Sequence, residues 1–306
     1  MATSRLTFKA TLAQISVPAT SANLGPGFDS FGLALELRDR YAAQVLDDAI
    51  FDVDVSGEGA DEVKRDKNNL VIRSMLRGFE HMGQKPRGIA LRALNVTPHG
   101  RGLGSSSSAI VGGLALSRAL VHGGETLLSD DEMIALATEL EGHPDNVAAA
   151  ILGGATIAWI ENGVGKAVNT PVHEKIKALA FIPSSTLATT KARKILPESV
   201  PHAAAAANAG KAALLIHALA QRPDFLFTAT EDQIHQSYRA PAMPKSAALV
   251  ERFRAAGVAA FISGAGPAVL VLHTATETEA VEMAAAAAPD FTALPLEISH
   301  KGYLQG

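Results

Sequence analysis

Along the first hundred residues, apolar and polar positions alternate with a period of two near 12–17, 30–46, 50–56 and 88–97, which predicts strands. Between the last two the repeat lengthens to that of a helix, over about 69–82. Two further helices follow a Gly/Ser-rich stretch, and Ser129 with Glu132 has the S-x-x-E spacing of a capping box for the second. Gly153-Gly154 interrupts the apolar run before a short strand through Trp159. The glycine-containing stretch 161–166 predicts a domain boundary that divides the chain into 1–163 and 164–306.

The second half opens on a strand at 178–183, followed by helices near 190–196 and 202–220. A Pro-rich stretch precedes a helix at 245–256, where Leu249, Phe253 and Ala256 share one face and Gly257 supplies the stop. Strands at 258–263 and 268–273 flank Gly264-Ala265-Gly266-Pro267, a helix opens at a Thr276/Glu279 capping box, and a last strand lies near 294–303. The order β, helices, β, β, α, β is that of a split βαβ, ferredoxin-like domain. The expected fold class is α+β in two domains.

Composition narrows the possible functions. With 47% hydrophobic and 19% charged residues, the 306-residue chain is that of a packed globular protein. Its formal net charge of -4 is spread without any basic block, so neither a nucleic-acid partner nor a membrane surface is expected. An acidic ligand must therefore be met by local chemistry. The absence of cysteine excludes disulfides, thiolate catalysis and cysteine-ligated metals, and is consistent with a reducing cytoplasm. The start of the chain shows no apolar signal segment, and Asn208, Lys211 and His217 make the alanine-rich stretch 203–220 a soluble helix rather than a membrane span.

The strongest local signal is Pro98-His99-Gly100-Arg101-Gly102-Leu103-Gly104-Ser105-Ser106-Ser107-Ser108, placed between a predicted strand and an apolar helix. Three glycines in five residues let backbone N–H groups turn toward a ligand, and a helix start adds free donors and the positive end of its dipole. The serine hydroxyls can cap the helix, contact phosphate oxygens or ligate magnesium. A flexible turn with an ordinary serine cap has the same composition. The loop is neither a Walker A motif, which needs Lys-Ser/Thr after the last glycine, nor a G-x-G-x-x-G fingerprint.

A second constellation, Glu139-Leu140-Glu141-Gly142-His143-Pro144-Asp145-Asn146, falls where one helix stops and another starts. It reads either as a capped corner with solvated acids or as a magnesium carboxylate beside a polar pair. His143, next to Pro144, is expected to be a structural hydrogen-bonder. The third, from Pro18 to Asp29, is an ordered small-residue loop whose Asn23 and Asp29 suit a ligand amine or hydroxyl.

Taken in order, P-A-T-S-A-N-L-G-P-G-F-D-S-F-G-L-A-L, G-R-G-L-G-S-S-S-S, L-E-G-H-P-D-N and F-I-S-G-A-G-P resemble the motifs of the GHMP kinases, named for galactose, homoserine, mevalonate and phosphomevalonate. The first and third are most similar to those of the homoserine-phosphorylating branch. The resemblance spans nearly the whole chain. It implies an N-terminal domain like domain 2 of ribosomal protein S5, a ferredoxin-like C-terminal domain, and an active site between them. ATP would lie on residues 98–108, with Mg²⁺ held by Ser106 and Glu141; Ser105 and Glu139 stand as alternatives. The implied reaction is transfer of the γ-phosphoryl group of ATP to the hydroxyl of L-homoserine, giving O-phospho-L-homoserine for threonine biosynthesis. Asn146 would orient that hydroxyl, and Asp145 is a second catalytic candidate, as a base. The same resemblance places the acceptor's carboxylate on Arg193 and Arg239, helped by Gly264, with Asn23, Asp29 and Asn146 on the amine and hydroxyl side. It also admits a homodimer.

Overall fold

The computed structural model describes residues 7–274, 278–286 and 288–306. Its first half carries β1 (Ala13–Asn23), β2 (Gly27–Leu46) and β3 (Phe51–Gly57), then α1 (Leu70–His81) and β4 (Gly88–Asn95). Helices α2 (Ser105–Leu120), α3 (Gly124–Leu127), α4 (Asp130–Glu141) and α5 (Asp145–Leu152) follow, and β5 (Ala155–Glu161) with β6 (Val164–Thr170) forms a hairpin. The Ser129/Glu132 capping box is made in both directions, and Gly142 ends α4 at φ 92°. Local chemistry thus fixes both ends of the helix that leads into the second constellation.

The second half carries β7 (Lys177–Pro183), α6 (Thr189–Lys194), α7 (His202–Ala220), α8 (Leu226–Ala229), α9 (Gln236–Arg239) and α10 (Pro244–Ala255). Strands β8 (Ala259–Ile262) and β9 (Val269–His273), helix α11 (Thr278–Ala286), β10 (Phe291–Leu296) and β11 (Leu304–Gln305) complete it. Thr276 of the expected capping box lies outside the described residues. The second sheet has the order β10-β7-β9-β8 with antiparallel pairs throughout, the arrangement expected of a ferredoxin-like domain.

Two expectations change. The 163/164 division falls inside the β5–β6 hairpin turn, so β6 stays on the first sheet and the crossing to the second lies within 171–176. The last strand, expected as one segment near 294–303, is two. β10 ends at Leu296, Ile298 bridges to Leu35, and Leu304 pairs with Ser16 at the edge of the first sheet. Alternation of apolar residues continues through the crossing, so the period does not register the change of sheet.

The first sheet, ordered β11-β1-β2-β4-β3 with β5 on β2 and β6 on β5, packs α1, α2, α4 and α5 on one face. In β9 every residue is buried because both faces are covered. Val269 and Val271 join Phe253 and Leu249 of α10, whereas Leu270 and Leu272 join Leu215 of α7 and Leu33 and Leu35 of β2. That second cluster spans both halves. Each such side chain contributes about 1.5–3 kcal/mol on burial, so the two units meet through shared core. Helix α7 has the length and hydropathy of a membrane span. It is nonetheless tied to the body, because buried Asn208 donates to Pro26 O at 2.7 Å and Lys211 pairs with Glu231 at 2.8 Å.

Candidate active site

All four motifs meet at one cavity of about 210 Å³ between the two units. Its walls come from the end of β1 (Asn23), the start of β2 (Asp29), the loop before α2, the α4–α5 corner, α6, α9 and the β8–β9 turn at Gly264. The β1–β2 turn brings Asn23, Leu24 and Gly25 through left-handed backbone at φ 69°, 48° and 87°, and Asp29 is also left-handed at φ 56°. Non-glycine residues rarely adopt this conformation without compensating contacts. Here Asn23 supplies them: its Nδ2 donates to Gly264 O at 2.9 Å, and its Oδ1 accepts from Asp29 N–H at 3.0 Å.

On the loop side, Gly104 occupies the N-cap of α2 at φ 75° without a side-chain cap. The first helical bond runs from Ser108 N–H to Gly104 O at 2.8 Å, so the N–H groups of the preceding serines are not spent within the helix. Gly100, Gly102, Gly104, Ser105 and Ser106 line the cavity. The rest of 98–108 faces elsewhere. Leu103 is core, Arg101 donates to the carbonyls of His99, Pro183 and Ser184, and buried Ser108 contacts the Tyr41 hydroxyl at 3.0 Å. Ser107 is also buried, Pro98 borders a different cleft, and His99 borders a neighbouring cavity of about 350 Å³ that shares Gly100, Ser105 and Ser106 with the first.

The α4–α5 corner presents its acids unequally. Glu141 Oε1 accepts from Ser106 Oγ at 2.7 Å and Ser107 Oγ at 3.1 Å, beside the loop. Glu139 points away and pairs with Arg77 at 3.1 Å on the exposed side. Asp145, almost wholly buried, accepts from His143 Nδ1 at 2.7 Å and from Asn146 N–H at 2.7 Å. Burial alone lowers the His143 pKa, but its bond to Asp145 and the nearby Asp145 and Glu141 charges outweigh that, so the net shift is upward. Asn146 Oδ1 accepts from Thr20 Oγ1 at 2.8 Å.

Opposite the loop, two arginines meet over the Phe28 ring, at 5.7 Å for Arg193 and 5.2 Å for Arg239. Arg193 forks onto both oxygens of Asp29 at 2.9 and 2.6 Å, the bond that does most to raise its pKa. Arg239 is only 2% exposed and donates to Ala192 O at 3.2 Å. Burial first, and then the charge of Arg193, push its pKa below the usual guanidinium value. Buried His235 sits behind it, bonded through Nε2 to Gly25 O at 2.8 Å, and burial lowers its pKa. Thr20, Phe28 and His235 were not singled out by sequence. The spacing of His235 and Arg239, one helical turn, was the available signal for the last.

Profiles for the GHMP kinases N terminal domain and the GHMP kinases C terminal domain match residues 69–154 and 203–290. A homoserine kinase of Streptomyces coelicolor is 49% identical over 295 residues, covering 96% of this chain and 94% of the relative. One from Clavibacter michiganensis subsp. michiganensis is 46% identical over 292 residues, covering 94% and 92%. The crystal structure of homoserine kinase from Cytophaga hutchinsonii superposes with a TM-score of 0.81 over the full length of both chains at 23% identity, which shows the shared fold. With both halves matched in order and close relatives along nearly its whole length, the chain belongs to the GHMP kinases, in their homoserine kinase group, and is an ATP-dependent phosphotransferase.

Proposed function

We propose that the protein phosphorylates the side-chain hydroxyl of L-homoserine with ATP, yielding O-phospho-L-homoserine for threonine biosynthesis in the cytoplasm. The observation that carries this reading is the pairing of a free helix start with a zwitterion-sized polar cavity. The nucleoside fits the neighbouring cavity, where Val55, Val63, Leu70 and Val71 supply apolar walls and Asn68, Asn95 and His99 polar ones. Its phosphates would then cross the start of α2, against the N–H groups of the Gly102–Ser106 segment. Ser106 and Glu141 fit Mg²⁺, since hydroxyl and carboxylate oxygens 2.7 Å apart are hard donors and magnesium is commonly held by one carboxylate plus phosphate oxygens. When bound, the ion neutralises phosphate charge.

In the smaller cavity, Asp29 suits the substrate ammonium, and Arg239 with Arg193 suits the carboxylate, with the Gly264 backbone alongside. Asn146 orients the acceptor hydroxyl by donating from Nδ2, because its Oδ1 is engaged by Thr20. Asp145 already accepts from His143 and the Asn146 backbone, so it holds the corner in place. Phosphoryl transfer through a loose transition state depends chiefly on such positioning, and the hydroxyl proton can leave to a phosphoryl oxygen. The test is ADP release with homoserine against a panel of small alcohols. Turnover confined to homoserine is expected, and preference for an alcohol without an α-amino acid group would overturn the reading.

A further inference from the structure

Thr20 lies in the first motif, is fully buried, and carries no charge. Its backbone N–H donates to Leu103 O in the phosphate-side loop at 3.0 Å, and its hydroxyl donates to Asn146 Oδ1 at 2.8 Å. A methyl group placed on Gly104 would come within 2.0 Å of the same hydroxyl. One residue therefore touches both the loop at the head of α2 and the amide at the head of α5.

The neighbours of the Asn146 amide decide which way it faces. An asparagine amide presents an acceptor oxygen on one side and two N–H donors on the other, at nearly equal size. Asp145 Oδ1, an acceptor only, lies 3.4 Å from Asn146 Nδ2, so an inverted amide would set two oxygens against each other. The Thr20 hydroxyl, which can donate or accept, holds the amide so selected by donating to Oδ1 from the opposite side. Hence Nδ2 is the group left for the cavity.

We propose that Thr20 is a positioning residue for phosphoryl transfer: its hydroxyl holds Asn146 with Nδ2 toward the acceptor hydroxyl and in register with the loop at Gly104. This rests on the role given to Asn146 above. A side chain that acts only by orienting another affects the chemical step more than ground-state binding.

The experiment compares Thr20→Val, which keeps the branched shape, with Thr20→Ser, which keeps the hydroxyl, measuring kcat and both KM values beside the melting temperature. Thr20→Val should lower kcat about tenfold, the factor that a loss near 1.4 kcal/mol produces, with both KM values nearly unchanged. Thr20→Ser should restore most of kcat even though it loses a buried methyl group. Thr20→Ala, which leaves space instead of refilling it, should show the same kcat loss and covers the case in which valine does not fold. In an Asn146→Ala background, Thr20→Val should add little further loss, because the group it positions is gone. Unchanged kcat in Thr20→Val, or an equal loss in both backgrounds, overturns the proposal while the role of Asn146 stands. Unchanged kcat in Asn146→Ala overturns that role and the proposal together.

Discussion

The two sides of the cavity are built by different means. The loop side is backbone: left-handed glycines at 100, 102 and 104 and an uncapped helix start, with Ser106 and Glu141 as its polar side chains. The facing side is made of side chains from distant places, Asp29, Asn146, Arg193 and Arg239, held by an ion pair, an aromatic ring and buried hydrogen bonds. A backbone site tolerates any side chain that stays out of the way but not a change of conformation. A side-chain site has the reverse sensitivity.

The largest expected effect separates the two acids of the corner. Glu141→Gln should cut turnover by about a hundredfold or more and raise the Mg²⁺ requirement, because it removes the charged oxygen beside Ser106. Glu139→Gln loses an exposed pair with Arg77 and should change turnover less than about twofold. A magnesium titration of both variants checks this, and the opposite ranking would move the metal one helical step.

Next in size, Arg239→Leu should raise the homoserine KM roughly ten- to a hundredfold, the loss of one charge-assisted bond, while the ATP KM stays near its original value. Steady-state kinetics in both substrates give the answer directly. Equal damage to both KM values would show that the two sides are not independent.

Smaller again, and aimed at the backbone side, is a pair of glycine substitutions. Gly104→Ala and Gly142→Ala both place a side chain on left-handed backbone, at φ 75° and 92°, a backbone strain of about 1–2 kcal/mol in each. Only at Gly104 does the new methyl meet a wall, 2.0 Å from Thr20 Oγ1. Calorimetric ATP binding should therefore weaken for Gly104→Ala and not for Gly142→Ala.

The smallest effect concerns His143. Its folded pKa is raised, so its protonated form contributes stability that is complete below the unfolded value of about 6.5 and is lost as pH rises through the folded value. Melting curves of His143→Gln should thus show a deficit at about pH 6 that shrinks by about pH 9. A deficit that grows with pH would mean that the neutral imidazole is the favoured form.

The same contrast explains what could be read from sequence. Backbone conformation leaves a local signature, and three glycines before an apolar helix marked the loop as a candidate, although an ordinary flexible turn has the same composition. Even so, the spacing did not reveal that Arg101 and Leu103 turn away into carbonyls and core. Asp29, Arg193 and Arg239 lie far apart along the chain, and nothing local to any of them indicates a shared cavity. Family resemblance pointed to them, and only folding shows that Asp29 and Arg193 are already paired. The ferredoxin-like half was legible because its strands alternate and its turns carry Gly and Pro. The β6 pairing and the return of the last strand were not, because sheet membership depends on tertiary context.

That return bears on the order in which the molecule is completed during synthesis. Leu304 pairs with Ser16, and Arg38 of β2 donates to Ser299 Oγ at 2.8 Å and Gly302 O at 2.6 Å. A chain that has formed only as far as β10 therefore has an open edge at β1, and Arg38 keeps its bonds to Ser16 and Glu36 but lacks those to Ser299 and Gly302. The edge of β1 waits for a segment made nearly three hundred residues later, and removing residues 297–306 should unsettle the first sheet before the second.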